Sequence, residues 1–523
     1  MHHGIGSHDK GRRSQRMRDA AACEGVRPGG LGLFSTDMKL TPEQEAVVAR
    51  DLGPGEVLKV IAFAGTGKTT TLVRYALARP RTRFLYVAFN KSVQLEAAAK
   101  FPANVVCRTS HALAFARFGA KHRERLVSGF KANTVMQALE LDGYEAAKFT
   151  IDTLMNYLVS ADARVAKRHI PFACRQYFEA LKRPMPDVVG LANRLGRLMC
   201  TAENPEIGMV HDGYLKLFQL ARPRLHYDCI LLDEAQDITP VTAEVILSQP
   251  DTPKILVGDP NQQIYSFRGA QNSMARLKST ETLYLTGSFR FHAKIAAVAN
   301  LVLKQFKDEK KKLRGLRKAR AIRSGGPKTI IARTNAKVFD EAVAQTRRGK
   351  TVGFVGGLGG YRFNRILDVY RLFQREPHQI RDPYIRSFPA FGEMEAYARA
   401  VEDREMMSLC KVVQNHRHQI PLQVRAIIEK AVDEKQADVV LTTAHKAKGL
   451  EWSEVTLADD FPDLVVGGEP ISKEDLEADE FNLIYVSLTR AMDRLRLAPG
   501  CSLQALLAYV RQQEDPTPPP PDG

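Results

Sequence analysis

The 523-residue sequence contains no run of about 18 apolar residues, the length a membrane-spanning helix requires. Its opening stretch, "MHHGIGSHDKGRRSQRMRDAAACEG", has no apolar segment of the kind a secretory signal carries. These two absences argue against a membrane partner and predict an intracellular protein, in the cytoplasm or nucleoid of a bacterium or the nucleus of a eukaryote. The seven cysteines, Cys23, Cys107, Cys174, Cys200, Cys229, Cys410 and Cys501, include no CxxC pair. An odd, dispersed set argues against a disulfide framework or a zinc site, and reads as reduced thiols in apolar surroundings. Acidic residues are also short in supply: 59 Asp and Glu stand against 76 Lys and Arg, for a formal charge of +17. Such an excess favours a polyanionic partner through counterion release, although an arginine-rich composition can produce it without one.

What is present is a chain too long for one hydrophobic core, so about two to four domains are expected. Short apolar runs alternate with amphipathic helical segments: "EVLKVIAF" at 56–63, "RFLYVAF" at 83–89, "ANVVCRT" at 103–109, "YDCILLDE" at 227–234 and "PKILVGD" at 253–259. Runs of this kind, each followed by a turn or helix, suit parallel strands buried on both faces, which makes the fold class α/β. Segments such as "TIDTLMNYLVSADARVAKR" are helical in pattern and interrupt the first set of strands. A second α/β set comprises "KTIIART", "TVGFVGG", "DVVLTTAH" and "EVTLADDF". The expected organisation is a flexible arm over 1–37 and a first α/β domain over 38–112 and 206–280, with a helical insertion over 113–205. A second domain covers 281–358 and 433–505 with a small helical insertion over 359–432, and a Pro-rich tail occupies 506–523.

"AFAGTGKT", residues 62–69, fits the P-loop pattern with Ala in first position, and it stands between the apolar "VLKVI" and the helical "TTLVRYALA". Gly65 and Gly67 let backbone N–H groups turn towards phosphate oxygens, Lys68 reaches the β and γ phosphates, and Thr69 offers a hydroxyl to Mg²⁺. Ala64, Thr66 and Thr70 complete the loop and the start of its helix. "ILLDEAQD" at 230–237 supplies the complementary acid pair: Asp233 to hold hydrated Mg²⁺ and Glu234 to polarise the attacking water. A lone Asp-Glu after a strand would read as a solvated turn; its pairing with the P-loop favours the metal reading. "NKSV" at 90–93 begins like a guanine-reading loop but ends in Val93, without the carboxylate that guanine needs. Gln44, in "LTPEQEAVV", carries an amide able to pair with both donor and acceptor edges of adenine. ATP is the expected nucleotide.

The ordered set "LTPEQ", "AFAGTGKT", "LLDEAQD", "VGDPNQQIYSFRGA", "LTGSFRF", "TTAHKAKGLEW" and "NLIYVSLTRA" resembles, motif by motif, the UvrD-like superfamily 1 helicases over about residues 39–497. Within that superfamily, "FLYVAFNKSVQLEAAAKFPANVVCRTSHALA" and "FVGGLGGYRFNRILDVYRLFQ" are most similar to the helicase portion of the F-box DNA helicases. No F-box segment is evident in the short polar arm, so no F-box-dependent ubiquitin-ligase partner is expected. The resemblance implies two RecA-like domains with ATP between them. It implies that Gln262 senses the γ-phosphate, that Arg290 and Arg490 reach it from the second domain, and that Phe289 lies against adenine. Glu451, just after Gly449, would bond the ribose. Each arginine alone would read as a surface charge; the ordered set overturns that reading.

For a DNA strand the family implies contacts from Phe89, Asn90, Thr109, His111, Tyr265, Phe267, Arg268 and His445. Aromatic faces stack on any base for roughly 1 to 3 kcal/mol each, a grip without sequence preference. Taken alone, Tyr265 and Phe267 would read as core aromatics. The basic run over 304–328 fits phosphate binding and a solvated helix face about equally well. Two departures stand out: Ser110 replaces the aromatic that relatives usually carry between Thr and His, and the interval from Arg290 to His445 leaves little room for a large accessory domain. The resulting expectation is an ATP-dependent DNA helicase or single-strand translocase. The resemblance alone makes it 3′ to 5′ and places it in repair or recombination, acting on single-stranded, tailed or forked DNA, with recombinase filaments or other repair proteins as partners. The rival reading is a P-loop ATPase that clamps nucleic acid without moving. A nuclease is disfavoured, because no compact cluster of Asp, Glu and Lys follows the last motif.

Overall fold

The computed structural model describes residues 39–180, 182–201, 203–264, 274, 278–319, 328–400 and 403–514. The apolar runs become strands β1 (Val57–Ala62), β2 (Phe84–Ala88), β3 (Val105–Thr109), β4 (Cys229–Leu232), β5 (Lys254–Gly258) and β6 (Glu281–Leu285). They form one six-stranded sheet in the order β3-β2-β4-β5-β1-β6, with every pairing parallel. Strands β2, β4 and β5 are buried along their whole length, which is why they read as continuous apolar runs rather than as alternation. A parallel sheet gathers all strand C-termini at one edge, and the loops leaving that edge are where such folds bind ligands.

A second sheet contains β7 (Lys328–Ala332), β8 (Val352–Phe354), β9 (Val439–Thr443), β10 (Trp452–Leu457) and β11 (Ala491–Leu497). Its order is β8-β9-β7-β10-β11, again all parallel. The α/β class with parallel sheets is thus the one expected from the sequence. Five helices matter for the site: α1 (Lys68–Leu77), α2 (Lys91–Lys100), α3 (Ala293–Lys307), α4 (Ala478–Leu488) and α5 (Ser502–Glu514). Helices α3 and α4 share a core with β7 and β10, and the Phe306 and Phe481 rings stack at 4.5 Å between centroids. Each such ring or Leu side chain, fully buried, contributes about 1.5–3 kcal/mol.

Between β3 and β4 the chain forms a helical body whose core holds Val135, Leu154, Leu195 and Met199. Between β8 and β9, helices Phe363–Phe373, Arg404–His416 and Ile420–Lys430 pack Ile366, Val369 and Val413 against Val338 and Phe339. This second insertion shares its core with the sheet it interrupts.

Three expected boundaries move. The sequence pattern places residues 281–285 in the second domain, but β6 pairs with β1, Leu58 opposite Glu281, so the first sheet ends after Leu285. The first insertion does not stop at 205: Met209–Val210 pairs with Leu126–Val127, and Tyr214, Leu215 and Phe218 of helix His211–Leu220 lie in the insertion's own core. The C-terminal tail does not begin at 506, because α5 runs to Glu514 with Leu503 and Leu506 buried. In each case a short apolar periodicity was too brief to be assigned to one core or the other. The arm expected over 1–37 lies outside the described residues, as do 515–523 of the tail. Among the described residues no helix is long and apolar enough to cross a membrane.

Candidate functional site

The loop joining β1 to α1 turns through two left-handed glycines, Gly65 at φ +74° and Gly67 at φ +79°. Neither tolerates a side chain. A Cβ on Gly65 would lie 2.5 Å from Cβ of Arg290, and one on Gly67 would lie 2.9 Å from Nε2 of Gln44. Thr66 closes the turn by donating its hydroxyl to the Phe63 carbonyl at 2.8 Å. The loop therefore ends on the N-terminus of α1, where unpaired N–H groups and the helix dipole favour an anion. Gln44, expected to read adenine, is buried beside the loop: its amide nitrogen donates to the Thr66 carbonyl at 3.3 Å and to the Thr71 hydroxyl at 3.2 Å.

Asp233 and Glu234 follow β4, the second neighbour of β1 in the sheet, and so face the phosphate loop. Oδ2 of Asp233 accepts from the Thr69 hydroxyl at 3.0 Å and from the Tyr86 hydroxyl at 2.9 Å. Oε2 of Glu234 lies 3.3 Å from Nζ of Lys68. Burial, and then the neighbouring Glu234 charge, push the Asp233 carboxyl up. Burial also acts to raise Glu234, yet the Lys68 and Lys448 ammonium groups beside it hold it well below the usual carboxylate range. The two acids are thus driven apart, with Glu234 firmly ionised.

Lys68, Thr69, Asp233, Glu234, Gln262, Phe289, Arg290, Gly449, Glu451 and Arg490 all line one cavity of about 820 Å³, together with Gly65, Thr66, Gly67 and Thr70. Arg490 enters from the C-terminal end of α4 with 1% of its surface exposed. Its guanidinium donates to the Val486 carbonyl at 2.8 Å, the Leu450 carbonyl at 3.3 Å and Oε1 of Gln262 at 3.4 Å. Burial, with Arg290 nearby, lowers its pKa to about 9, which makes the pocket a place where an incoming anion would gain strongly from its charge. Arg290 donates to Glu451 at 2.8 Å and to the Thr489 carbonyl at 3.3 Å. Glu451, expected at the ribose, is therefore paired with Arg290 in this arrangement. Ala64 is buried, and its N–H donates to the Tyr485 hydroxyl at 3.3 Å.

The residues present fit Mg²⁺ and a nucleoside triphosphate. Thr69 and Asp233 offer hard oxygen donors that already converge, and the glycine loop leaves a cradle that any Cβ would fill.

Among the described residues, those expected on a DNA strand stand at or just past the ends of three parallel strands, the neighbours β2 and β3 of the first sheet and β9 of the second. Phe89 and Asn90 line the nucleotide cavity, and Oδ1 of the Asn90 side chain caps α2 by accepting from Val93 N at 2.9 Å. Thr109 caps the next short helix through Ala112 N at 3.1 Å, and His111 sits 3.1 Å from Asp212. His445 lines a separate cavity of about 810 Å³ at the end of β9, with Arg333, Arg362 and Lys446. Tyr265, Phe267 and Arg268 lie outside the described residues. Of the basic run over 304–328, Arg317 pairs with Asp493 at 3.1 Å and Lys311 covers the Tyr284 ring, while 320–327 lie outside the described residues.

Several site residues escaped the sequence reading. Tyr86 stands inside "RFLYVAF", where it looks like core; only the geometry brings its hydroxyl to Asp233. Lys448, in "HKAKGLE", contacts both Asp237 and the Gln262 carbonyl through Nζ. Its place three residues before Glu451 was a usable signal. Burial raises Asp237 to about 6 against the pull of Lys448.

A family model of the UvrD/REP helicase N-terminal domain matches residues 206–282, and one of the UvrD-like helicase C-terminal domain matches 364–499. F-box DNA helicase 1 of Gallus gallus is 34% identical over 511 residues, covering 91% of this chain and 50% of that protein. F-box DNA helicase protein 1 of Schizosaccharomyces pombe is 32% identical over 510 residues, covering 88% and 57%. ATP-dependent DNA helicase UvrD2 of Mycobacterium tuberculosis is 28% identical over 338 residues, covering 52% and 47%. The chain spans about half the length of these relatives.

Proposed function

Because this chain belongs to the UvrD-like helicase family, we propose that it is an ATP-dependent DNA helicase or single-strand translocase. The observation that carries the reading is the convergence of Lys68, Asp233, Glu234 and Gln262 with Arg290 and Arg490 on one cavity of about 820 Å³. In this reading, Lys68 and the loop N–H groups bind the β and γ phosphates. Thr69 and Asp233 would hold Mg²⁺, which when bound supplies positive charge against the phosphate oxygens. Glu234, kept ionised by Lys68 and Lys448, orients the attacking water and takes its proton. Arg290 and Arg490 stabilise the charge that develops on the transferring group. Phe289, 42% exposed beside Gly67, offers a face to the base.

Phe89, Asn90, Thr109, His111, Tyr265, Phe267, Arg268 and His445 form the strand path, and the excess of positive charge supports a polyanionic partner. Separating a base pair costs about 1.4 kcal/mol of stacking per step, small beside the free energy of one ATP. Direction 3′ to 5′ and a task in repair or recombination complete the reading; they rest on the resemblance of the motifs, and the relatives are named DNA helicases.

The test is ATP hydrolysis with and without single-stranded DNA, paired with displacement of a strand or a bound block from 3′-tailed, 5′-tailed and forked duplexes. Strand-stimulated hydrolysis with displacement from the 3′-tailed substrate is expected. A rate indifferent to single strands would reduce the protein to a P-loop ATPase without motor action.

A further inference from the structure

The turn Pro260–Gln262 follows β5, in the first domain, yet side chains of the second domain hold it from several sides. Tyr485, in the middle of α4 and 1% exposed, donates its hydroxyl to Oδ2 of Asp259 at 3.1 Å. The same oxygen atom of Tyr485 accepts the N–H of Ala64, the residue that opens the glycine loop, at 3.3 Å. One turn earlier on α4, Asn482 donates its amide to the Gln263 carbonyl at 2.7 Å. Lys448 donates to the Gln262 carbonyl, and Arg490 reaches Oε1 of Gln262 at 3.4 Å. Within the turn, Asp259 accepts from Gln262 Nε2 at 2.7 Å and from Asn261 N at 3.0 Å.

All of these groups are buried apart from Lys448, which is mostly so. A displacement of α4 relative to the first sheet cannot leave the turn unmoved, because buried hydrogen bonds at this junction would be broken without replacement. Tyr485 stands at the centre: one hydroxyl joins the phosphate loop, the turn that carries Gln262, and the helix that leads into Arg490. In the sequence Gln263 alone separates this turn from "IYSFRGA".

We propose that Tyr485, with Asn482, is a positioning residue that couples nucleotide state to single-strand affinity, by making the Pro260–Gln262 turn follow the second domain. This rests on the ATP and strand reading above. Tyr485 touches neither phosphate nor base in this role; it acts through Asp259 and Ala64. Arg490 and Gln262 set the chemistry at the γ-phosphate, whereas Tyr485 and Asn482 carry the motion away from it.

Coupling of this kind is an equilibrium quantity and reads out without turnover. The affinity of a fluorescent oligothymidylate is measured with and without ATPγS for the wild type, Tyr485→Phe and Asn482→Ala. The wild type is expected to change its affinity by about tenfold on adding the nucleotide, and each variant to lose most of that factor. A merely structural contribution would lower thermal stability and weaken both affinities in parallel, leaving the ratio intact. If both variants keep the wild-type ratio, the proposal is wrong. If the wild type binds oligothymidylate but shows no nucleotide dependence, the proposal also fails, while strand binding itself stands. If the wild type binds no oligothymidylate, the functional reading beneath it falls first. Asn482→Ala leaves Tyr485 and the phosphate loop untouched, so the test survives should Tyr485→Phe fold poorly.

Discussion

Tyr86 donates its hydroxyl to the same oxygen of Asp233 that accepts from Thr69, at 2.9 Å and 3.0 Å. The phenol is fully buried in β2, and burial together with the Asp233 charge keeps it protonated, raising its pKa. It is therefore a permanent donor that orients a carboxylate expected to face Mg²⁺. Tyr86→Phe keeps the ring and its packing but removes the donor. A hydrogen bond to a charged group is worth about 1.5–3 kcal/mol, so the Mg²⁺ concentration for half-maximal hydrolysis should rise by about tenfold or more. A Mg²⁺ titration of ATPase rate checks this, and an unchanged midpoint would remove Tyr86 from any role at the metal.

Glu234 and Lys68 face each other at 3.3 Å. In that pairing the carboxylate competes with phosphate for the same ammonium. Glu234→Gln removes both the base and the competitor, so the two effects should separate. Hydrolysis is expected to fall by about 10² to 10⁴, the range for loss of a general base, while nucleotide affinity holds or tightens. Fluorescent-nucleotide titration beside steady-state ATPase measures the split. Weaker binding in the variant would mean that the acid holds the loop in shape rather than serving as the base.

Arg490 is held by two backbone carbonyls and by Gln262 while its pKa is depressed to about 9. Such a fork of planar donors cannot be reproduced by one ammonium group. Arg490→Ala should slow hydrolysis by about 10³ to 10⁵ with ATP binding largely kept, and Arg490→Lys should rescue little of it. Single-turnover hydrolysis beside equilibrium ATP binding distinguishes this from general loss of the pocket. Near-full turnover in Arg490→Ala would end its assignment as the residue that stabilises transferring phosphate.

The strands and the phosphate loop were legible because each rests on a local pattern. "VLKVI" followed by "AGTGKTT" fixes strand, turn and helix start without reference to the rest of the chain. Asp233 was legible for the same reason. What stayed hidden depends on which elements become neighbours. Nothing in the sequence singles out Tyr86 or Tyr485, because a sequence shows their apolar rings but not where the hydroxyls end. The chemistry of Gln44 is readable from the sequence, but the hydrogen bonds of its amide to the glycine loop depend on the left-handed turn at Gly67. The boundary after Leu285 was missed because β6 pairs with β1 across more than 200 residues of chain, a long-range choice of partner.

Asp237 and Lys448 form a buried ion pair between the end of β4 and the segment after β9. Burial lifts the Asp237 carboxyl from an ordinary 3.8 to about 6, with Lys448 opposing that rise. Below about pH 4 the group is protonated in folded and unfolded chains alike. Between about pH 4 and 6 the folded protein holds a proton that the unfolded chain has released, so the stability tied to that proton is lost as pH rises through the folded value. Asp237→Asn cannot titrate and serves as the reference. The stability of the wild type relative to Asp237→Asn should therefore fall from about pH 4 to about pH 6, by roughly 1.4 kcal/mol per unit at most, and then level off. Denaturant midpoints at closely spaced pH values measure the difference. A difference that is flat across this window would place the carboxyl at its ordinary value, and with it the Lys448 bridge would be fully charged well below pH 6.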